Sequence, residues 1–352
     1  MGHTTLAAKR TLRLVLGMAA ALSGCGSPRS HSVGATTCTP TPQPVVLASL
    51  QDVVVQYLVS DGDYVYWSDG SDISRVPVSG GSVGSVAHAA GQSTGGTVGS
   101  MPLALDATHV FFVSGTQVNR VSKDGAAPTV LASSPDGDFA VGISVSAGSV
   151  YWLSVSTSTN AASLLAVPVE GGQVATAASG LPEGLWVTDA SNLYEASAVG
   201  QTLSLVPLDG AAPVTLATQQ PGIAGMAVDP SSVYWTSDAV VCSDAGSLPS
   251  CPGGSATSAT LNRIPLAGGS PVVLGHGYAA GGVAVDAAYA YWLDPYTSVN
   301  AVPVGGGNEV TVASEAAYVG PASDDCYLYW VSDDPSAATA TSVIKKVSKP
   351  GL

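Results

Sequence analysis

The residues that could do chemistry are few, and their spacing decides most of what they can do. Gly80-Gly81-Ser82-Val83-Gly84 and Gly91-Gln92-Ser93-Thr94-Gly95 both fit G-x-S-x-G. That pattern serves a serine nucleophile only on a strand–turn–helix bend that strains the side chain outward. Here one copy falls on a hairpin turn and the other in a Gly/Ser loop, in a chain with 41 glycines, so both read as chance matches. His88 and His276 belong to different repeats, and no H-x-x-H, H-E-x-x-H or C-x-x-C pair exists, which argues against a His/Cys zinc site. Carboxylates at Asp69, Asp72, Asp238, Asp244, Asp294, Asp333 and Asp334 gather where one class of loops begins. They read first as a solvated acidic face. They read second as a binding site for cationic or Ca2+-bridged ligands, because hard oxygen donors suit that ion. No other cofactor is expected, and no catalytic residue stands out.

Those groups are carried by a repeat. An aromatic pair recurs at Tyr66-Trp67, Phe111-Phe112, Tyr151-Trp152, Tyr194-Glu195, Tyr234-Trp235, Tyr291-Trp292 and Tyr329-Trp330. The copies stand about 40 residues apart, with one longer gap, the period of a four-stranded propeller blade. Each copy parses into an apolar strand A ending at an Asp, a tight turn, and strand B with the aromatic pair. A variable loop, strand C, a Gly-rich turn and strand D follow. The Asp occurs as Asp61, Asp106, Asp189, Asp229, Asp286 and Asp324, with Ser146 in the third copy. Its carboxylate can accept a backbone N–H two residues on, which sets the A–B turn. Pairs such as Gly268-Gly269 suit the positive φ of C–D hairpin turns. Glu195 replaces Trp in the fourth copy and reads as a degenerate blade before it reads as a functional residue.

The seventh copy ends at its C–D turn, Lys349-Pro350-Gly351-Leu352, with no strand D after it. The missing strand stands at the other end, where Pro44-Val45-Val46-Leu47-Ala48 matches Pro128-Thr129-Val130-Leu131-Ala132. An all-β, closed propeller of about seven blades is expected over 44–352, its ring closed by this N-terminal strand. Closure removes the open sheet edges that invite aggregation. Arg75, Arg120, Arg263 and Lys346 share one position in strand C and are expected to bond turn carboxylates or carbonyls at blade junctions. A convergent anion-binding ring is the sharper reading, weakened by Ala166, Leu205 and Ala301 in the other copies.

The Tyr-Trp-Thr/Ser pattern, with an apolar-x-Arg and a Leu-x-Gly turn after it, resembles the YWTD repeats of the low-density lipoprotein receptor family and bacterial lipoproteins built from such repeats. The resemblance implies the fold. It does not carry over ligand residues: those receptor propellers have six blades, and only Asp69 is in register with the Asp of YWTD.

Lys9, Arg10 and Arg13 precede an apolar run, Leu14 to Leu22, too short to span a bilayer. The run ends at Leu22-Ser23-Gly24-Cys25, which resembles a bacterial lipobox. Residues 1–24 are therefore expected to be a lipoprotein signal peptide, with lipidation at Cys25 and a flexible tether over 25–43. Gly26 favours outer-membrane sorting. Removing 1–24 takes three cations and no carboxylate, so the mature chain carries 8 Lys+Arg against 25 Asp+Glu. Such a field repels phosphate backbones and anionic lipid, so nucleic acid is excluded and the membrane is met only through the anchor. In the oxidising envelope the four remaining cysteines suggest two disulfides. Cys242 and Cys251 bracket a short loop in the fifth blade and are expected to bond each other across it. Cys38 precedes the N-terminal strand D, and Cys326 lies in an A–B turn on the face where strand D begins, so a Cys38–Cys326 bridge is expected to staple the ring closure.

A monomeric, non-enzymatic binding or scaffolding module for a protein or glycan of the envelope is the preferred reading. The rival is a metal-dependent lactonase- or lyase-type propeller enzyme, for which only Asp138 and Glu183 come close as channel ligands. Strand A is otherwise small there, as at Gly142, Ala224, Gly225, Gly281, Gly282 and Gly320.

Overall fold

The computed structural model describes residues 38–88, 101–159, 161–182, 184–197, 200–241, 256–334, 339 and 341–351. They form seven four-stranded antiparallel sheets, the blades of a seven-bladed propeller. Blades 1 to 6 follow the chain over 57–88, 103–133, 139–181, 184–217, 223–277 and 283–313. Blade 7 takes Val319–Ser323, Tyr327–Asp333 and Thr341–Ser348 from the C-terminus and Val45–Gln51 from the N-terminus as its outer strand. Strand A of each blade touches strand A of the next all the way round, so A is innermost and the ring is closed.

The aromatic pair explains why blades stack. Neighbouring residues on a strand point to opposite faces, so each pair serves two junctions at once. Trp235 packs toward blade 4 and Tyr234 toward blade 6; Trp330 packs toward blade 6 and Tyr329 toward blade 1. Trp152, Trp235, Trp292 and Trp330 are fully buried, as are the tyrosines beside the last three. Each ring removes roughly 150–250 Å2 from water, about 4–6 kcal/mol at ~25 cal/mol per Å2.

Between inner strands, backbone meets backbone. A Cβ on Gly282 would stand 1.9 Å from the Gly320 carbonyl oxygen, so blades 6 and 7 approach as closely as only glycine permits. Gly282→Ala should therefore lower stability by about 1–3 kcal/mol through overpacking. Denaturant unfolding checks this, with Gly305→Ala, whose Cβ meets nothing and whose backbone has no positive φ, as the open-space comparison.

Ring closure follows the sequence expectation. Val45↔Lys346 through Gln51↔Thr341 are paired antiparallel, with one irregularity at Leu47. Residues just upstream are bound too. Thr41 N–H donates to Ser348 Oγ at 2.5 Å, and the Tyr327 hydroxyl donates to the Thr39 carbonyl at 2.8 Å. Cys38 and Cys326 form a disulfide, with Cα atoms 5.4 Å apart. The Cys242–Cys251 pairing lies outside the described residues. Two B–C loops, expected from the sequence over 154–163 and 237–260, are shorter in the structure. In blade 5 the B–C ladder runs on to Val241↔Ala256, and in blade 3 to Val155↔Ala162. Thr and Val in those stretches favour extended backbone.

Candidate functional site

At the bottom face, which carries the A–B and C–D turns, the turn Asp and the strand B Tyr act as one unit. Asp229 Oδ1 accepts the Ser231 and Ser232 amides at 2.7 and 2.8 Å, while Oδ2 accepts the Tyr234 hydroxyl at 2.8 Å. The same unit recurs as Asp61–Tyr66, Asp189–Tyr194, Asp286–Tyr291 and Asp324–Tyr329. Burial and the adjoining carboxylate push the Tyr291 and Tyr329 hydroxyls far above the usual phenol range. A cavity of about 520 Å3 opens at this end of the central channel, lined in part by Asp229, Asp286, Asp324 and Lys349. Its carboxylates are largely spent on turn amides, tyrosines and lysine.

Every Lys and Arg of the ring is held at a junction or on a neighbouring ring. Arg120, Arg263 and Lys346 reach the C–D turn carbonyls of Val169, Val304 and Val78 in the following blade, as expected for structural cations. They do not converge on an anion. Arg75 lies over the Tyr64 ring, 4.3 Å from its centroid, and Lys345 pairs with Glu315 at 2.6 Å. Lys123 and Lys349 reach back to Asp61 and Asp286, each at 2.7 Å. Burial works against ionising those two aspartates, but the lysines and turn amides outweigh it and hold both below the ordinary carboxylate range. Sequence reading missed these lysines. They occupy the slot at which the other blades carry Val78, Val169, Leu208, Leu266 and Val304.

The top face carries the B–C and D–A loops, and there, among the described residues, the structure brings together Asp238 and Asp294 from adjacent blades. Both clamp the D–A loop between blades 5 and 6. Asp238 Oδ1 accepts the Ala280 amide at 2.7 Å. Asp294, buried, accepts the Tyr278 amide at Oδ2, 2.7 Å, and the Tyr296 amide at Oδ1, 3.4 Å. Glu309 joins from below, taking the Trp292 indole N–H at 3.1 Å and the His276 amide at 3.3 Å. Glycine makes the clamp possible, since a Cβ on Gly277 would meet Trp292 at 2.2 Å. The clamped loop stands Tyr278 beside Tyr296 of the blade 6 B–C turn. Their rings are edge to face, 5.9 Å apart at 79°, and are 52% and 49% exposed. Burial first, and the Asp294 charge second among the raising causes, push Asp238 upward.

The other described carboxylates of the set lie in blades 1 and 7. Asp69 caps its own turn, accepting the Ser71 and Asp72 amides at 2.8 Å. Asp72 pairs with His88 at 2.6 Å on the surface of blade 1. Asp333 pairs in register with Ser342 at the end of blade 7, and the Asp334 amide bonds the Thr341 carbonyl. Asp244 and Glu183 fall outside the described residues, as do Cys25, the expected lipidation site, and the second serine motif. Asp138 Oδ1 accepts the Thr157 amide at 3.4 Å.

Glu195 is buried, 5% exposed, and its Oε1 has no hydrogen-bond partner. The tryptophan missing from its position has moved one strand inward. Trp186, its cross-strand neighbour, fills the junction with blade 3 and lies against Gly142, where a Cβ would meet the indole at 2.7 Å. Burial pushes the Glu195 carboxyl up to about 7 from an ordinary 4.5. The folded state then holds a proton that the unfolded chain loses earlier. Stability should fall as pH rises from about 4.5 to about 7 and level off above, by about 3 kcal/mol from this group. Unfolding at pH 5 and pH 8 tests this: Glu195→Gln should lose that much less over the interval. Equal slopes would place the carboxyl in water.

No family model matches the chain, and no curated protein matches it. Among solved structures, the oligogalacturonate lyase of Vibrio parahaemolyticus aligns with TM-score 0.60 at 10% identity, over 88% of this chain and 94% of its own. An oligogalacturonate lyase in complex with manganese gives 0.59 at 11% identity, over 89% and 99%. A nidogen/laminin complex reaches 0.46 at 16% identity, over 64% and 85%, which is too loose to carry an argument. Likeness at these identities speaks for the fold alone.

Proposed function

We propose that this protein is a non-enzymatic binding or scaffolding module of the bacterial cell envelope. It is held by a lipid on Cys25, in the outer membrane, and meets a protein or glycan partner as a monomer. The observation that supports this most is the clamped loop between blades 5 and 6, which holds two exposed tyrosines rigidly at the top face. Tyrosine presents large contact area at low entropic cost, and for that reason recurs in binding surfaces. The chain enters blade 7 from the bottom face, through Cys38 beside the Cys326 turn. An anchor upstream of Cys38 then leaves the top face pointing away from the membrane.

Photo-crosslinking in cells tests the reading, with the probe at position 296 on top or at position 268 in a C–D turn. An adduct from 296 and not from 268 is expected. Adducts from 268 alone, or from neither, would overturn it. Stoichiometric metal on the purified protein together with cleavage of oligogalacturonate would turn the assignment to the lyase reading.

A further inference from the structure

We infer that the Tyr278–Tyr296 corner takes a basic side chain, lysine or arginine, offered by a segment of the partner. The inference rests on the top-face reading above and supplies its ligand chemistry. Two observations meet here. The first is the aromatic corner itself: two half-exposed rings at 79° offer π surface over which one cation can lie within about 6 Å of a ring centroid. The second is unbalanced charge. Asp238 and Asp294 bond the backbone at Tyr278, Ala280 and Tyr296, Glu309 bonds it at His276, and the Asp294 charge acts on both of the others. Among the described residues, His276 offsets this charge at Glu309.

No cation of the ring can supply the balance. Each of its lysines and arginines is held elsewhere, at a blade junction or over Tyr64. A cation from outside the propeller would find this negative field unopposed by any lysine or arginine of the ring. Its chemical type follows from the donors. Asp294 has both oxygens, and Asp238 one, engaged by backbone amides, which leaves few of the six to eight oxygen ligands of a Ca2+ shell. Among the described residues no group of three His, Cys, Asp or Glu is arranged to hold one. An organic cation needs less: a ring face and a nearby negative field. A neutral sugar could stack on the same rings, but it would leave the carboxylates uncompensated.

The test uses the mature chain labelled with 3-fluorotyrosine, the two resonances being assigned from single Tyr→Phe variants. The probes are a capped Lys/Arg-Gly hexapeptide, its Glu-Gly counterpart, and maltohexaose. The basic peptide should shift both resonances saturably and bind about tenfold more weakly to Tyr296→Ala, the loss of one cation–π face. Tyr296→Phe should retain most of the affinity. Raising ionic strength from about 0.05 to about 0.5 M should weaken binding, because screening shortens the reach of the three carboxylates. Unchanged thermal midpoints in the variants control for folding, since both rings are half exposed. Absence of a shift with the basic peptide, or an equal shift with the acidic one, overturns the inference. Shifts with maltohexaose alone overturn it too, yet leave the binding module standing. A positive titration without a crosslink from position 296 would instead count against the module's placement.

Discussion

Removing residues 44–51 should cost the propeller its cooperative fold. These residues are the outer strand of blade 7, and without them Thr341–Ser348 becomes a bare sheet edge. The loss goes beyond hydrogen bonds. Leu47 and Ala48 are buried in a cluster that joins blade 7 to blade 1 through Trp67, Tyr329 and Ile344. A buried Leu alone contributes about 2–5 kcal/mol, so a whole strand approaches the ~5–15 kcal/mol total of an ordinary domain. The truncated chain should expose apolar surface and aggregate through the new edge. Leu47→Ala is the milder companion, expected to fold with stability lowered by about 2–4 kcal/mol. Calorimetry and light scattering decide it. A truncation with wild-type melting would show that blade 7 stands on three strands.

Cys326→Ser is expected to have the next largest effect. The disulfide closes nearly the whole ring, across a sequence separation of 288. In the chain-entropy account, cross-links over long loops restrict the unfolded ensemble most, and native ones contribute about 3–5 kcal/mol. Reduction of the wild-type protein should give the same loss, because the bond and not the serine is responsible. A variant as stable as the wild type would mean that the strand pairing alone sets ring closure. Unfolding in denaturant with and without reductant separates the outcomes.

The blades were legible in the sequence because one position per strand repeats. The Tyr-Trp pairs mark strand B, the Asp marks the A–B turn, and Gly pairs mark the C–D turn. Closure was legible for the same reason, as a missing strand D at one end and a spare one at the other. The Cys38–Cys326 bond followed from knowing which face each turn occupies. What the repeat cannot show is where a side chain meets one from another blade off register. In the sequence Asp238 and Asp294 read as a solvated acidic face first and candidate binding residues second; both also accept amides of the 278–280 loop, and Tyr278 and Tyr296 stand half exposed beside it. The available signal was the run Gly277 to Gly282, whose glycines mark a loop pressed against something bulky. Glu195 stood out as a broken repeat. Its compensation at Trp186 was hidden because tryptophan was sought only in strand B.

The order of connections at the N-terminus sets how the molecule bears load. Tension applied upstream reaches Cys38 first, and there the covalent bond hands it to the Cys326 turn of blade 7. The strand Val45–Gln51 lies beyond that point along the chain, in parallel with the bond and shielded by it. Pulling therefore cannot peel the strand hydrogen bond by hydrogen bond from its neighbour, the weakest way to open a sheet. The force enters blade 7 at a turn between its two inner strands, and the seam that closes the ring stays slack until the sulfur bridge is cut.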